Sequence, residues 1–484
     1  MRSSIQSGLL LAASLSTSIV EAERVLGAFI FARHGDRTAK VFGNTELTDL
    51  GYSEVYTAGD FYHDRYINSS SEKHIEGIAS EIVVAKQISA SAPDDAVLQN
   101  SATGFLQGVY PPAGSDANTT LGNSTVVMSP LNGYQLIQLT TTTSGSDSED
   151  ATWLQGSSDC QKATISSNNY YTSDSYNSLL KSTEDFYQSL SSMLNTTFTS
   201  SQMTFKNAYT IFDYLNVGII HNTTEEFAGG EYPSNEEFDQ IFQLASNQQW
   251  NLAYNESDTA RAVDGAVLAG EILSGLNTTI ASGGEKSKLN VQFGSYGTFM
   301  SFFGLAQLPA ASVNFTGIPD YASSMVLELV TDNEDTDFPS ESDINVRFMF
   351  HNGTLTGSDE PTVYPLFGQS NKLLSWSDFK SSMEKFAVTS DDEWCNLCGN
   401  TDGKCASSTA STNSSDSSSG SGSGSGSGGM SRAVAGVIGA MVTLAVILGL
   451  EALFFLVGGF RIIKRRSGVP EMATSAGVTG DKKA

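Results

Sequence analysis

The chain has 484 residues, of which 53 are acidic and 26 basic, giving a formal net charge of −27. That balance excludes nucleic acid as a partner, because binding a phosphate backbone needs clustered Lys and Arg. Only 16% of residues are charged while 10% are aromatic, which excludes a wholly disordered chain, and four cysteines in this length exclude a small disulfide scaffold.

In chain order, residues 1–22 read as a secretory signal: Arg2, an apolar run over 8–13, then the small-residue site Val20-Glu21-Ala22. An apolar strand is predicted over 25–32, too short for a buried helix. Thr48 caps a helix reaching about Tyr66. A strand over 82–88 and a helix over 94–109 follow, the helix stopped by Pro111-Pro112. Residues 113–255 are polar and Ser/Thr-rich, with helices predicted near 173–194, 205–217 and 235–253. Asp258 caps a further helix to about Leu276. A strand over 289–294, a helix from about Thr298, strands near 325–331 and 346–350, and a helix over 377–386 complete the folded part. Strand and helix alternating on both sides of a helical segment predict an α/β class: a mixed-sheet core flanked by helices (23–112 and 256–400) with a mostly α-helical cap inserted at 113–255.

Residues 401–431 are a Ser/Gly-rich stalk of flexible composition. Residues 432–460 are a transmembrane candidate: 433–450 carry no charge and the apolar run resumes over 452–460, against the ~20 residues that a ~30 Å bilayer core requires. Glu451 interrupts it and reads as a partner-facing or interfacial carboxylate. Arg461, Lys464, Arg465 and Arg466 open a short basic tail, 461–484, as a stop-transfer cluster, which disfavours a cleaved lipid-anchor signal. The expected topology is type I single-pass, through the secretory pathway to the plasma membrane or cell surface, with the ectodomain outside.

Ten Asn-x-Ser/Thr sequons, at Asn68, Asn118, Asn123, Asn195, Asn222, Asn255, Asn277, Asn314, Asn352 and Asn413, fit a glycosylated surface protein. In an oxidising compartment Cys160, Cys395, Cys398 and Cys405 are expected to form two disulfides, with three connectivities open. Cys395-Asn-Leu-Cys398 has the spacing of a redox CxxC, but a structural bridge suits this setting better. No His/Cys set has metal-site spacing, so neither a metal nor another cofactor is expected.

The sharp chemical motif ends the first strand: Phe31-Ala32-Arg33-His34-Gly35-Asp36-Arg37-Thr38. Phosphoryl transfer needs charge neutralisation and a nucleophile in line. Guanidinium forks match phosphate bidentately and cannot be titrated away, and a His between two of them on a Gly-containing turn is placed to attack phosphorus. The motif resembles that of the histidine acid phosphatases, the acid phosphatase and phytase branch of the histidine phosphatase superfamily. Leu47-Thr48-Asp49-Leu50-Gly51 with Arg65-Tyr66, Tyr110-Pro111-Pro112, the segment 262–273 and Asp392-Glu393-Trp394-Cys395-Asn396-Leu397-Cys398 are similar to that family too, the last two to its fungal members. The resemblance implies an α/β core with a helical cap and phosphomonoester hydrolysis through a phosphohistidine on His34. It implies that Arg33, Arg37 and Thr38 bind the phosphate. Ala39 stands where the family usually has proline.

Two pocket elements depart from the family pattern. Its further phosphate arginine falls at Val97, and its His-Asp pair, whose Asp is the general acid, falls at Ser295-Tyr296. His63-Asp64 has the right letters on the wrong helix, His351-Asn352 lies in a sequon, and His74 and His221 lack partners in sequence. Asp36 is available but has no assigned role. The expected partners are phosphate or phosphomonoester small molecules and, through one span, the membrane. Two readings follow: a weak extracytoplasmic acid phosphatase, or an inactive pseudophosphatase serving as a surface binding or structural protein.

Overall fold

In the computed structural model, residues 23–406 are described apart from 143–158, 222–230, 336 and 403–404. The predicted signal, most of the stalk, the transmembrane candidate, the tail, Asn222 and Asn413 therefore lie outside the described residues. No helix among the described residues is long and apolar enough to cross a membrane.

The central sheet has eight strands: β1 (Arg24–Arg33), β2 (Ile88–Pro93), β5 (Thr140–Thr142), β6 (Leu289–Gly294), β7 (Ser324–Thr331), β8 (Asn345–His351), β9 (Thr362–Tyr364) and β10 (Leu373–Ser375). A small separate hairpin pairs β3 (Thr119–Thr120) with β4 (Val126–Val127). The sheet order is β10-β8-β7-β1-β6-β2-β5, with β9 also on β8. β1, β6, β2 and β5 run parallel, while β7, β8, β9 and β10 are added antiparallel. The sheet is thus mixed, as expected. Its edge strand β5 comes from the segment expected in the cap.

Strands buried on both faces read as near-continuous apolar runs, and the predictions for β1, β6, β7 and β8 hold to within a residue or two. One face of β1, with Ala28, Ile30 and Ala32, packs under α1 (Asp49–Tyr62) and α2 (Ala96–Val109). The other, with Leu26, Phe29 and Phe31, packs against the helices of Val263–Ala281, Tyr296–Leu305 and Trp376–Met383. The strand predicted over 82–88 is displaced. Ile82 and Val84 are 41% and 37% exposed, and β2 forms after them where Ile88 to Ser91 pair with β6.

The α1 N-terminus forms as predicted: Thr48 Oγ1 accepts from the Gly51 N–H at 3.0 Å. Past Tyr62 the helix loosens into a π turn, His63–Ile67. Asp95, through its carboxylate on Leu98 N–H at 2.9 Å, caps α2. Between 113 and 255 lie the single turn α3 (Pro130–Gly133), α4 (Gln161–Asn169), α5 (Asp174–Ser182), α6 (Glu184–Ser189), α7 (Ser191–Leu194), α8 (Ala208–Ile220) and α9 (Asn235–Ala253). The single helix predicted over 173–194 is three short ones, because Thr183 and Leu190 leave helical dihedrals. The others are α10 (Val263–Ala281), α11 (Tyr296–Leu305), α12 (Trp376–Met383) and α13 (Asp391–Cys398). Asp258 makes no side-chain cap, and α10 starts after a 3-10 turn at Thr259–Ala262.

The cysteines pair Cys160–Cys398 and Cys395–Cys405, so the two cysteines of the CxxC spacing are not bonded to each other. One bridge joins α4 to α13 across 238 residues.

Gly35 and Gly51 bring the motif turn against α1 backbone to backbone. A Cβ on Gly51 would lie 2.0 Å from the Asp36 carbonyl oxygen, and one on Gly35 2.1 Å from that of Gly51. Gly51→Ala is expected to destabilise the protein by about 1–3 kcal/mol, read as a lowered denaturation midpoint. An unchanged midpoint would contradict the close approach.

Candidate active site

The register pairs Arg33 with Gly294, so the turn after β1 and the turn after β6 leave the sheet side by side. Both lie at the carboxyl edge of parallel strands, where α/β sheets place their sites. Along that edge come the motif, Ser295-Tyr296 and the first turn of α2. Ser101 Oγ accepts from Gly35 N–H at 3.3 Å, and Val97, one helical turn earlier, shares that face. Val97 is 1% exposed. Val97, Ser295 and Tyr296 are an apolar and two neutral side chains, at positions where the family resemblance implies a cation and an acid.

His34 is fully buried. Its Nδ1–H donates to the Gly35 carbonyl at 2.7 Å, which sets the tautomer with the lone pair on Nε2, the form a nucleophile requires. Its own carbonyl accepts from Ala322 N–H at 3.0 Å. Tyr321, 5% exposed, is the hub of the site. Its ring centroid is 5.6 Å from that of His34, 4.5 Å from the Arg33 guanidinium carbon and 5.9 Å from that of Arg37. Burial pushes the Tyr321 hydroxyl well above the usual tyrosine range, so it is a poor acid.

Both motif arginines are engaged by protein groups. Arg37 makes a buried ion pair with Asp213 at 2.8 Å and donates to Tyr209 Oη at 3.2 Å and the Thr38 carbonyl at 3.0 Å. The second Asp213 oxygen accepts from Lys40 N–H at 2.8 Å. Arg33 donates to the Pro319 carbonyl and lies between the rings of Tyr321 and Tyr296, the latter at 5.4 Å. Its Nε has no acceptor among the described residues. The Tyr296 ring lies tilted, 4.9 Å from that of Tyr209, and its hydroxyl donates to Gln249 Oε1 at 2.9 Å. Thr38, expected on the phosphate, is exposed instead and bonds to the Glu46 backbone.

A cavity of ≈ 200 Å³ opens on Arg33, and Asp213, Asp239 and Asp320 line it with Tyr209 and Tyr321.

Sequence reading missed Tyr209, Asp213, Glu54 and Tyr321, and left His221 without a partner. Asp213 left a signal, as the one charged residue of an otherwise apolar α8; Tyr209 precedes it by one turn. His221, just past α8, donates through Nε2 to Asp36 Oδ2 at 2.6 Å, and Thr48 Oγ1 also donates to that carboxylate. Asp36 thereby ties the motif turn to the end of α8 and to Thr48. The other histidines are elsewhere: His63 bonds the Val109 carbonyl at 2.9 Å, and His351 ends β8.

Glu54 accepts from Asp36 N–H at 2.7 Å. Burial, opposed by that Asp36 N–H hydrogen bond and reinforced by the charges of Asp36 and Asp320, pushes its carboxyl up to about 7. A carboxyl whose folded pKa is raised contributes stability below the unfolded value of about 4.5 and loses it as pH climbs through 7. Glu54→Gln is therefore expected to raise the melting temperature relative to the parent more at pH 8 than at pH 4; an equal difference at both would show the site is not titrating.

A mixed sheet flanked by helices thus carries the Arg33–Arg37 motif at the end of its parallel strands. The sequence model of the histidine phosphatase superfamily (branch 2) matches residues 38–351, and the chain belongs to that family. No curated protein matches. Among solved structures, the phytase of Klebsiella sp. ASR1 is similar with a TM-score of 0.51 at 12% identity, covering 76% of this chain and 96% of the phytase. The phytase of Citrobacter braakii gives 0.50 at 13%, covering 78% and 99%, and that of Hafnia alvei 0.51 at 12%, covering 78% and 98%. At such identities the likeness is one of fold.

Proposed function

We propose that this is a membrane-anchored surface protein whose ectodomain keeps the histidine phosphatase fold, with phosphomonoester hydrolysis through His34 lost, and which serves in binding or structure. The observation that carries this is the occupation of Arg37 by Asp213 and of Arg33 by Pro319 and two tyrosine rings. A general acid typically contributes ~10²–10⁴-fold and a charged clamp of order 10²–10³-fold. With Val97 and Ser295-Tyr296 in their places, little of either remains. The signal-like start, the apolar run before a basic tail and ten sequons support a type I topology at the plasma membrane or cell surface. Two disulfides suit the same compartment.

The second reading, a weak acid phosphatase, draws on the His34 tautomer and on the unsatisfied Arg33 Nε. Phosphate or a phosphomonoester is its ligand; the Hafnia alvei phytase has been solved with tartrate and with myo-inositol hexakis sulphate, both polyanions.

The deciding experiment compares phosphatase activity of the full chain with His34→Ala from pH 3 to 7. The expected result is no difference beyond a few-fold. Activity that falls a hundredfold or more in His34→Ala would establish the enzyme. A shortened ectodomain must extend past Cys405, since ending at Gly399 would unpair Cys395.

A further inference from the structure

A groove of ≈ 990 Å³ runs between α9, the Val313–Thr316 turn and the β8–β9 hairpin. That is the top of the range of about 300–1,000 Å³ usual for ligand sites, far more than one phosphate fills. Phe303 and Phe315 form its floor, edge to face at 4.8 Å, and Phe315 meets Tyr364 the same way at 4.8 Å. Half-buried Phe242 and Trp250, two turns apart on one face of α9, form a wall. No Lys, Arg, Asp or Glu is among its described lining residues; the polar groups there are amides, hydroxyls and His351. Aromatic faces beside neutral hydrogen-bonding groups suit a ligand with apolar C–H faces and many hydroxyls, and no charge.

Two of the eight described sequons stand on this groove, Asn314-Phe315-Thr316 and Asn352-Gly353-Thr354. Asn352 is exposed. Its Oδ1 accepts from Asp320 N–H at 3.0 Å and Ser323 Oγ at 3.3 Å, which fixes the amide, while Nδ2, the atom that carries an N-linked glycan, makes no hydrogen bond among the described residues. Asn352 also lines the smaller cavity over Arg33, together with Phe242, Ile318 and Pro319.

We propose that the groove holds the chain's own N-linked glycan on Asn352, whose sugars stack on the aromatic wall and cover the entrance to Arg33. This rests on the secreted, glycosylated reading above, and the test separates the two. The full chain is produced in a eukaryotic secretory host and treated, undenatured, with an endoglycosidase that cleaves the chitobiose core, and each site is followed by glycopeptide mass. The Asn352 glycan is expected to be released at least tenfold more slowly than those on Asn118 and Asn123, both exposed. Trp250→Ala and, separately, Phe242→Ala are expected to remove that protection, and denaturation to abolish it in every form. Release at the same rate as at Asn118, or an empty Asn352 beside occupied Asn118 and Asn123, overturns the proposal. Empty sequons throughout overturn the glycosylated reading, and the groove assignment with it. Should either α9 variant misfold, Thr354→Ala supplies the second measurement: removing this glycan alone is expected to speed release of the neighbouring Asn314 glycan, and no change there overturns the shared groove.

Discussion

Glu328→Ala is expected to cost about 3–5 kcal/mol of stability, the range for removing one partner from a buried ion pair. Glu328 sits mid-strand on β7 and is 0% exposed. It receives Arg65 at 3.0 Å, Arg347 Nε at 2.9 Å and the Tyr66 hydroxyl at 2.6 Å. Arg347 is its cross-strand partner in the β7–β8 register. Burial pushes the carboxyl up, but the two guanidinium groups outweigh that and hold it below its ordinary value. A lowered carboxylate pKa contributes stability above the unfolded value and loses it only as pH falls through the folded one. The network therefore persists into mildly acid solution. Arg65 and Arg347 keep Glu360 and Glu23 as second partners, which places the expected loss toward the lower end. Replacing Glu328, Arg65 and Arg347 together by methionine should recover most of it, since the dominant penalty is the uncompensated charge. Denaturant unfolding checks both, and a single variant as stable as the parent would show that the carboxylate is not the centre of the network.

How much of this was legible in the sequence depended on how local each feature is. Strand β6 reads directly from Leu289 to Gly294 because both its faces are buried and its apolar run is continuous. Strand β2 does not: Ile-Ser-Ala-Ser-Ala-Pro is made of small residues whose burial depends on β6 beside them. The helix over 173–194 carries a continuous helical pattern, and only its packing breaks it at Thr183 and Leu190. In the site, the Arg-His-Gly-x-Arg turn is contiguous and announced itself. The groups that engage it come from 172 to 185 residues away, through Tyr209, Asp213 and His221, and from Tyr321 in a loop without regular structure. Nothing in a linear pattern pairs Asp36 with His221; only the docking of the cap on the core does. Val97 and Ser295-Tyr296 read as departures only against the family resemblance that their flanking elements carry.

The occupation of Arg37 leads to the second large effect. Asp213→Asn is expected to strengthen phosphate binding at the site. At an effective dielectric near 20, one charge removed ~5 Å from a bound oxyanion is worth about 3 kcal/mol, roughly a hundredfold in Kd. The same change leaves the fully buried Arg37 without its anion, so in phosphate-free buffer the variant should be less stable than the parent. The asparagine still accepts from Lys40 N–H, which separates loss of charge from loss of shape. The two effects are then linked, because an anion that binds only the folded state stabilises by RT ln(1 + [L]/Kd), about 2.7 kcal/mol at a hundred times Kd. Titrating inorganic phosphate should raise the melting temperature of Asp213→Asn toward that of the parent, and leave the parent itself unmoved. Tyr209→Phe, which removes the hydroxyl partner but no charge, should show neither the loss nor the rescue. If the parent already gains stability with phosphate, its arginines are open to anions and the enzyme reading regains its footing. If the variant gains none, the tyrosine rings rather than the aspartate keep phosphate out, and Tyr321 becomes the residue to replace next.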